Sequence, residues 1–125
     1  MEISSFIQPL EPVHIDANVY DIMESFHSHK NLSFVPIVNH FNEPLGIVRE
    51  QSLRDFTFTI FGHDLIKRKH ISEFISPCPI VSYSTKFIDL IQTPAFQQRG
   101  EGFIIIREGV YAGFLTVFHY SNCTR

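Results

Sequence analysis

The sequence predicts an α+β fold in which one strand–helix–strand–strand–helix unit occurs twice, and three observations lead to this prediction. Short apolar runs rich in β-branched residues alternate with segments whose apolar residues recur every three or four positions, which indicates strands alternating with helices. The 125 residues are 44% hydrophobic, which fits one small domain or two halves that share a core. Proline and glycine anchors repeat 67 residues apart, from Pro12 to Pro79 and from Gly46 to Gly113.

The first half contains five predicted elements. Its first helix carries apolar side chains on one face, and Asp16 and Asn18 are both plausible N-caps for it. The two strands that follow form a hairpin around the turn-rich residues 39–44. The last helix has Ser52 as a possible cap. In chain order the elements are strand 12–16, helix 19–29, strand 34–38, strand 45–48 and helix 52–60.

The second half repeats this order after a connecting segment. Glu108 and Gly109 form its hairpin turn, and the chain ends where the closing helix is expected, so that helix is predicted to be truncated or short. The predicted elements are extended residues 79–81, helix 86–92, strand 102–106 and strand 111–116. The predicted organisation is a first repeat at 8–61, a connecting segment at 62–76 and a second repeat at 77–125.

The duplication rests on the alignment of the two halves. At the separation of 67, Ile37 aligns with Ile104, while the helices align one residue out of phase, with Ile22 over Leu90. The alternative is that any two β-hairpins look alike at this level. The repeated proline and glycine anchors favour a true repeat.

The repeated unit resembles a CBS domain. The resemblance rests on the element order and on the two hairpins at 34–48 and 102–116, which are similar to the family's hairpin of an apolar strand, a turn and a Gly-containing strand. It covers residues 8–119. It implies two repeats packed as a pseudo-two-fold disc with clefts between them. It also implies no required cofactor, but a possible adenosine nucleotide, AMP or ATP, in those clefts.

The resemblance also identifies candidate ligand residues. The family's binding motif is Gly, two apolar residues, Thr or Ser, two further residues and Asp or Asn; its carboxylate suits ribose hydroxyls, and its hydroxyl and helix amides suit phosphate. Neither half has the acidic residue, because Ser52 and His119 stand in that slot. Arg49 suits a phosphate, although a surface salt bridge is the alternative role for Arg49 and packing the alternative for His119. The candidate ligand-binding residues are Pro36, Arg49, Ser52, Phe103, Thr116 and His119.

Two features point to partners. Phe residues fall on more than one face of the segment 55–61, which predicts either a fully buried helix or a homodimer interface, and the homodimer is preferred. Residues 53–66 are similar to CBS pairs that stand next to bacterial signalling domains. That similarity implies a fused or associated output domain of the diguanylate cyclase or histidine kinase type.

Other classes of function are disfavoured. The net charge of −3 argues against nucleic-acid binding, and the sequence has neither a signal peptide nor an apolar run that could insert in a membrane, so a cytoplasmic protein is expected. The spacing of His27 and His29 does not suit a metal site on a helix, and no catalytic motif is present, so no catalytic or metal-binding residue is expected. Three hypotheses follow: a regulatory module, a ligand-free structural dimerisation module of a larger signalling protein, and, less favoured, a small enzyme with an undetected site.

Overall fold

A computed structural model describes residues 3–28, 33–58, 69–97 and 102–116. The chain divides into two compact units. The first unit runs from residue 11 to residue 77, and the second unit combines the N-terminal ten residues with the chain from residue 78 onward. Each unit contains one mixed β-sheet with helices, so the predicted α+β class is confirmed.

The first unit is a four-stranded sheet in the order β1-β2-β3-β4. Strand β1 is parallel to β2, and the other neighbours are antiparallel. Helices α1 and α2 supply buried side chains to the same core as β2 and β3. The elements are β1 (Val13–His14), α1 (Val19–Ser28), β2 (Phe34–Val38), β3 (Pro44–Arg49), α2 (Glu50–Thr57), a 3-10 helix (Ile71–Phe74) and β4 (Ile75–Ser76).

Local sequence explains where α1 begins and why it packs. The backbone N–H of Tyr20 donates to Oδ1 of Asn18 at 2.8 Å, which satisfies one of the unpaired amides of the first turn. Val19, Ile22 and Phe26 then turn one apolar face into the core. The prediction of this helix, with Asn18 as its cap, is confirmed.

Helix α2 differs from its prediction at its start. It begins at Glu50, directly after β3, with Arg49 as the N-cap. Ser52 therefore lies inside the first turn, and the prediction that it caps the helix was wrong. Arg49 makes no side-chain cap hydrogen bond, so the usual residue signal for a helix start is missing here. Residues 59 and 60 of the predicted helix lie outside the described residues.

The second unit has a three-stranded sheet in the order β5-β6-β7, with β5 parallel to β6 and β6 antiparallel to β7. Glu108 and Gly109 have φ of 55° and 83°, as a two-residue hairpin turn with two positive φ angles requires. The expected closing helix after Thr116 lies outside the described residues. The elements are a 3-10 helix (Ile3–Phe6), β5 (Ile80–Ser82), α3 (Phe87–Ile91), α4 (Pro94–Gln97), β6 (Gly102–Arg107) and β7 (Val110–Thr116).

The structural repeat confirms the predicted alignment of the helices and corrects that of the strands before the turn. Helices α1 and α3 begin 68 residues apart, at Val19 and Phe87, as the alignment of Ile22 with Leu90 predicts. In the two hairpins, Ile37 lies opposite Gly46 and Ile105 lies opposite Gly113. Equivalent residues of the two repeats are therefore 68 positions apart in sequence up to β2 and β6, and 67 positions apart from β3 and β7 onward. The second hairpin turn is one residue shorter, so the separation of 67 predicted for the strands was wrong before the turn and right after it.

A segment at the start of each repeat is also duplicated. Residues 3–9 read Ile-Ser-Ser-Phe-Ile-Gln-Pro, and residues 71–77 read Ile-Ser-Glu-Phe-Ile-Ser-Pro, which are identical at five of seven positions. We call these the leading segments. Each forms a 3-10 helix followed by extended chain. The prediction began the first repeat at residue 8 and treated 62–76 as a connection, so this feature was missed.

Each leading segment belongs to the unit built mainly from the other repeat. Residues 71–77 lie in the first unit, where β4 pairs with β3, and residues 3–9 lie in the second unit, where Gln8 pairs with Phe114 of β7. The first residue of each segment is fully buried, Ile71 in the core of the first unit and Ile3 in the core of the second. Each repeat thus supplies its leading segment to the edge of the sheet that is built mainly from the other repeat, and we call these the exchanged edges.

Among the helices that the structure describes, none has both the length and the apolar character needed to cross a membrane.

Candidate functional site

Arg49 lies at the junction between β3 and α2. It is the last residue of the strand, its extended backbone (φ −91°, ψ 139°) caps the helix, and no loop separates the two elements. The next amide, Glu50 N–H, donates to the carbonyl of Ser33 at 2.8 Å and fastens the helix start to the chain just before β2. The backbone at Arg49 is therefore held from both sides, while its side chain is half-buried.

The first turn of α2 carries its own charge pair. The guanidinium of Arg54 donates to the Glu50 carboxylate at 2.7 Å, one helical turn away. Ser52 lies between them in sequence and is half-buried. The Glu50 carboxylate stands where the helix dipole favours an anion. A phosphate bound at this helix start would therefore meet the Glu50 carboxylate, whose charge the Arg54 guanidinium partly neutralises.

Pro36 is buried in the middle of β2, directly opposite Ile47 on β3. Its neighbours Val35 and Ile37 belong to the core of the first unit. Because side chains alternate between the faces of a strand, Pro36 lies on the opposite face from that core. With the corrected register, its counterpart in the second unit is Ile104, whose position opposite Phe114 matches that of Pro36 opposite Ile47.

Phe103 occupies a core position in the second unit. Its side chain is 1% exposed and belongs to the cluster of Ile3, Leu90 and Leu115. Its ring stacks on that of Phe96, with 6.3 Å between centroids and 15° between planes. The structural counterpart of Phe103 is Val35, which faces the core of the first unit in the same way.

Thr116 is the counterpart of Arg49. It is the last residue of β7, lies opposite Gly102 on β6 and is half-buried. Arg49 lies opposite Phe34 instead. The two strand ends are thus equivalent in position but differ in chemistry, since one offers a cation beside an aromatic residue and the other a hydroxyl beside a glycine.

Several predicted residues cannot be placed. His119 lies outside the described residues, and so do the side chains of His27 and His29. Within the described ranges, no group of three or more His, Cys, Asp and Glu residues could hold a metal ion. The structure therefore brings Arg49 and Ser52 to one strand–helix junction in the first unit and leaves Thr116 at the matching strand end of the second.

Two features of the candidate site were not anticipated. The Glu50–Arg54 ion pair joins the first turn of α2 to its last turn, and its spacing of four residues was a signal in the sequence. The leading segment of the first repeat is close to Thr116, because its residue Gln8 pairs with Phe114, which precedes Thr116 by two residues on β7. The identity between residues 3–9 and 71–77 was the signal that could have revealed it.

Comparison with known proteins gives matches at the level of structure. No profile of a known protein family matches the sequence, and no curated protein matches it. The CBS domain of the bacterial CNNM/CorC family Mg2+ transporter in complex with ATP matches with a TM-score of 0.77 at 16% identity, over 94% of this chain and 82% of that one. CBSX2 in complex with AMP matches with a TM-score of 0.72 at 19% identity, over 99% and 98%.

A third similar structure is a CBS domain-containing protein of unknown function from Kribbella flavida. It matches with a TM-score of 0.78 at 12% identity, and the alignment covers 99% of this chain and 97% of that chain. The repeated strand–helix–strand–strand order, the two hairpins and these structures agree. The chain therefore has the fold of a tandem pair of CBS domains.

Proposed function

We propose that this chain is a regulatory module that binds an adenosine nucleotide, with ATP and AMP as the first candidates, and acts by binding rather than by catalysis. The observation that carries the proposal is the equivalence of Arg49 and Thr116, two half-buried polar residues that end the last strand of each hairpin. Two structures of the same fold are complexes with ATP and with AMP, which supports an adenosine nucleotide as the ligand.

The four polar candidate residues each have a definite role in this proposal. The Arg49 guanidinium donates paired hydrogen bonds to a phosphate. The hydroxyl groups of Ser52 and Thr116 and the ring of His119 contribute hydrogen bonds to phosphate or ribose. Because Ser52 and His119 stand where the family has a ribose-binding acid, we expect the phosphate to contribute more of the affinity than the ribose does.

Regulation requires that the nucleotide bind two states of the module with different affinity. We propose that the module works as a homodimer. Nucleotide binding changes the population of its two states, and the module passes that change to an output domain of the diguanylate cyclase or histidine kinase type. Phe58, directly after α2, supports the homodimer because its side chain is 81% exposed. Phe56, two residues earlier, packs edge-on against Phe74 at 5.5 Å within the first unit.

A second candidate is a ligand-free dimerisation module. The observation that favours it is the first turn of α2, where Glu50 places a carboxylate and Ser52 replaces the acid of the family's motif. A nucleotide would then gain less binding free energy at the start of α2 than it does in a typical member of the family. The two candidates differ in a single measurable property, the affinity for nucleotides.

Titration calorimetry with ATP, AMP and adenosine tests the proposal. We expect ATP and AMP to bind, and Arg49→Thr to weaken ATP binding about tenfold or more, because a hydrogen bond to a charged group contributes about 1.5–3 kcal/mol. Adenosine, which lacks phosphate, should bind both proteins nearly equally. Arg107→Thr is the matched control, since Arg107 is an exposed residue that stacks on Tyr83 at the other end of the β6–β7 hairpin from Thr116.

Two results would contradict the proposal. One is the absence of heat and of any rise in melting temperature with ATP, AMP, NAD, S-adenosylmethionine or a cyclic dinucleotide. A ligand present at 100 times its dissociation constant should stabilise the fold by about 2.7 kcal/mol, which a thermal shift detects readily. The other is equal weakening by Arg49→Thr and Arg107→Thr. If no nucleotide binds and the protein sediments as a dimer, the dimerisation module is the better description.

A further inference from the structure

The outer edge of β7 holds an extended peptide segment. The amide of Gln8 donates to the carbonyl of Phe114 at 2.7 Å, and the amide of Phe114 donates to the carbonyl of Gln8 at 3.0 Å. The Tyr111 hydroxyl donates to the carbonyl of Leu10 at 2.6 Å. Residues 8–10 are therefore bound mainly through their backbone, in the manner of a strand added to a sheet edge.

Side chains give this edge its selectivity. Ile3 is fully buried in the core of the second unit, and Phe6 and Ile7 pack against that core. Gly113 makes the approach possible, because a Cβ at this position would meet Cγ2 of Ile7 and would lie 2.9 Å from the carbonyl oxygen of Gln8. The edge thus requires apolar residues at three positions of the peptide, those of Ile3, Phe6 and Ile7, and no side chain at position 113 of the strand.

The first unit repeats the same arrangement with a different segment of chain. Ile71 is buried in its core, Phe74 and Ile75 pack against that core, and β4 pairs with β3. A Cβ at Gly46 would lie 2.5 Å from the carbonyl oxygen of Ser76. Two independent occurrences define one rule: an edge strand with a positive-φ glycine binds a segment of the pattern Ile-x-x-Phe-Ile-x-Pro.

We propose that the β7 edge is a docking site for a peptide of this pattern, filled by residues 3–9 of the same chain and equally able to take residues 3–9 of a second copy. The segment continues into β1 through exposed Glu11 and half-buried Pro12. Exchange in trans would re-form every contact described above, and such exchange of an identical element is a low-cost route to a dimer.

The test separates the segment from the rest of the full chain. A protease recognition sequence is inserted between Leu10 and Glu11, the purified protein is cut, and a fluorescent peptide with the sequence of residues 1–10 is added. Binding is followed by fluorescence anisotropy, and folding by circular dichroism. We expect the labelled peptide to exchange into the cut protein and to bind the uncut protein far more weakly, because the tethered segment competes at millimolar effective concentration.

Two further peptides test the pattern. A peptide with Ile3→Asp and Phe6→Asp should bind at least about tenfold more weakly, since it cannot bury its apolar side chains. A peptide with the sequence of residues 71–77 should compete with the labelled one. If the cut protein loses its fold and the added peptide restores it, the proposal is supported.

The proposal is overturned if the labelled peptide fails to bind the cut protein, whether that protein stays folded or has unfolded. It is also overturned if the doubly substituted peptide binds as well as the original. These outcomes do not depend on nucleotide binding, so the docking site and the proposed function can fail separately.

Discussion

Gln8 and Phe114 exchange both of their backbone hydrogen bonds and so join the N-terminal segment to the last described strand of the chain. The corresponding edge of the first unit is closed by β4, from the other leading segment. Each candidate ligand residue at a strand end, Arg49 or Thr116, therefore lies on a strand whose outer edge is held by the opposite repeat. The stability of these edges is the first property to measure.

Substitution of Gly113 by Ala should disrupt the β7 edge. The added Cβ meets Cγ2 of Ile7, and φ of +155° disfavours an L side chain. Crowding and backbone strain each contribute about 1–3 kcal/mol, so we expect a loss of about 3 kcal/mol in the free energy of unfolding, measured by urea denaturation.

Gly109→Ala is the matched control for Gly113→Ala. Gly109 also has a positive φ, +83°, but a Cβ there has no neighbour within 4 Å. Only the conformational term remains, and the expected loss is about 1 kcal/mol. Equal losses in the two variants would mean that Ile7 and Gln8 do not occupy the edge.

Tyr111→Phe should remove the hydrogen bond to the Leu10 carbonyl and lower the free energy of unfolding by about 1 kcal/mol at neutral pH. Tyr83→Phe is the control, because the Tyr83 ring contacts Arg107 through its face at 5.0 Å. Removal of the Tyr83 hydroxyl should change the free energy of unfolding little. A larger decrease for Tyr83→Phe than for Tyr111→Phe would contradict the prediction.

The same residue predicts a dependence on alkaline pH. Burial raises the pKa of the Tyr111 hydroxyl above its ordinary value of about 10. Above pH 10 the unfolded chain releases this proton while the folded chain keeps it, so the stability from Tyr111 is complete below pH 10 and declines as pH rises further. The slope is about 1.4 kcal/mol per pH unit. Denaturation between pH 9 and 11 should show this decline in the wild type, and subtraction of the Tyr111→Phe curve isolates it; parallel curves would refute it.

Phe103→Ala should behave as a core substitution. Phe103 is fully buried and stacked on Phe96, so we expect a loss of about 3–5 kcal/mol in the free energy of unfolding. Phe41→Ala removes the same group from a position that is 76% exposed and should change it by less than about 0.5 kcal/mol. Chemical denaturation of both variants provides the measurement. A small loss for Phe103→Ala, with weaker nucleotide binding, would instead support a ligand contact.

The sequence predicted the elements well where pattern and turn chemistry agree. Strand Phe34–Val38 is an apolar run with polar flanks, and the turn after it is held by Asn39, whose Oδ1 accepts hydrogen bonds from the amides of Phe41 and Glu43. Helix α2 was misplaced at its start because its cap, Arg49, gives no residue signal. This helix begins where β3 ends, and arginine is not among the residue types that favour the N-cap position.

The register and the exchanged edges were harder to predict. One residue fewer in the second hairpin turn shifts the repeat separation from 68 to 67, and an anchor match at Gly46 and Gly113 does not reveal the change before the turn. Such a shift turns a side chain to the other face of its strand. A separation of 67 places Phe103 over Pro36, whereas in the structure Phe103 corresponds to Val35. The pairing of Gln8 with Phe114 depends on contacts between distant parts of the chain, which periodicity does not encode.

Ile3→Ala tests the exchanged edges directly, because Ile3 is the first residue of the leading segment that packs on the second unit. Ile3 is fully buried beside Leu90 and Phe103, so we expect a loss of about 2–4 kcal/mol in the free energy of unfolding. Ile71→Ala, its counterpart in the first unit, should lose a similar amount, whereas Ile88→Ala, at a residue 56% exposed, should lose little. Hydrogen exchange should locate the Ile3→Ala effect at the Phe114 amide, which Gln8 protects. If Ile3→Ala resembles Ile88→Ala and the Phe114 amide exchanges as in the wild type, the N-terminal segment does not form the edge of the second unit.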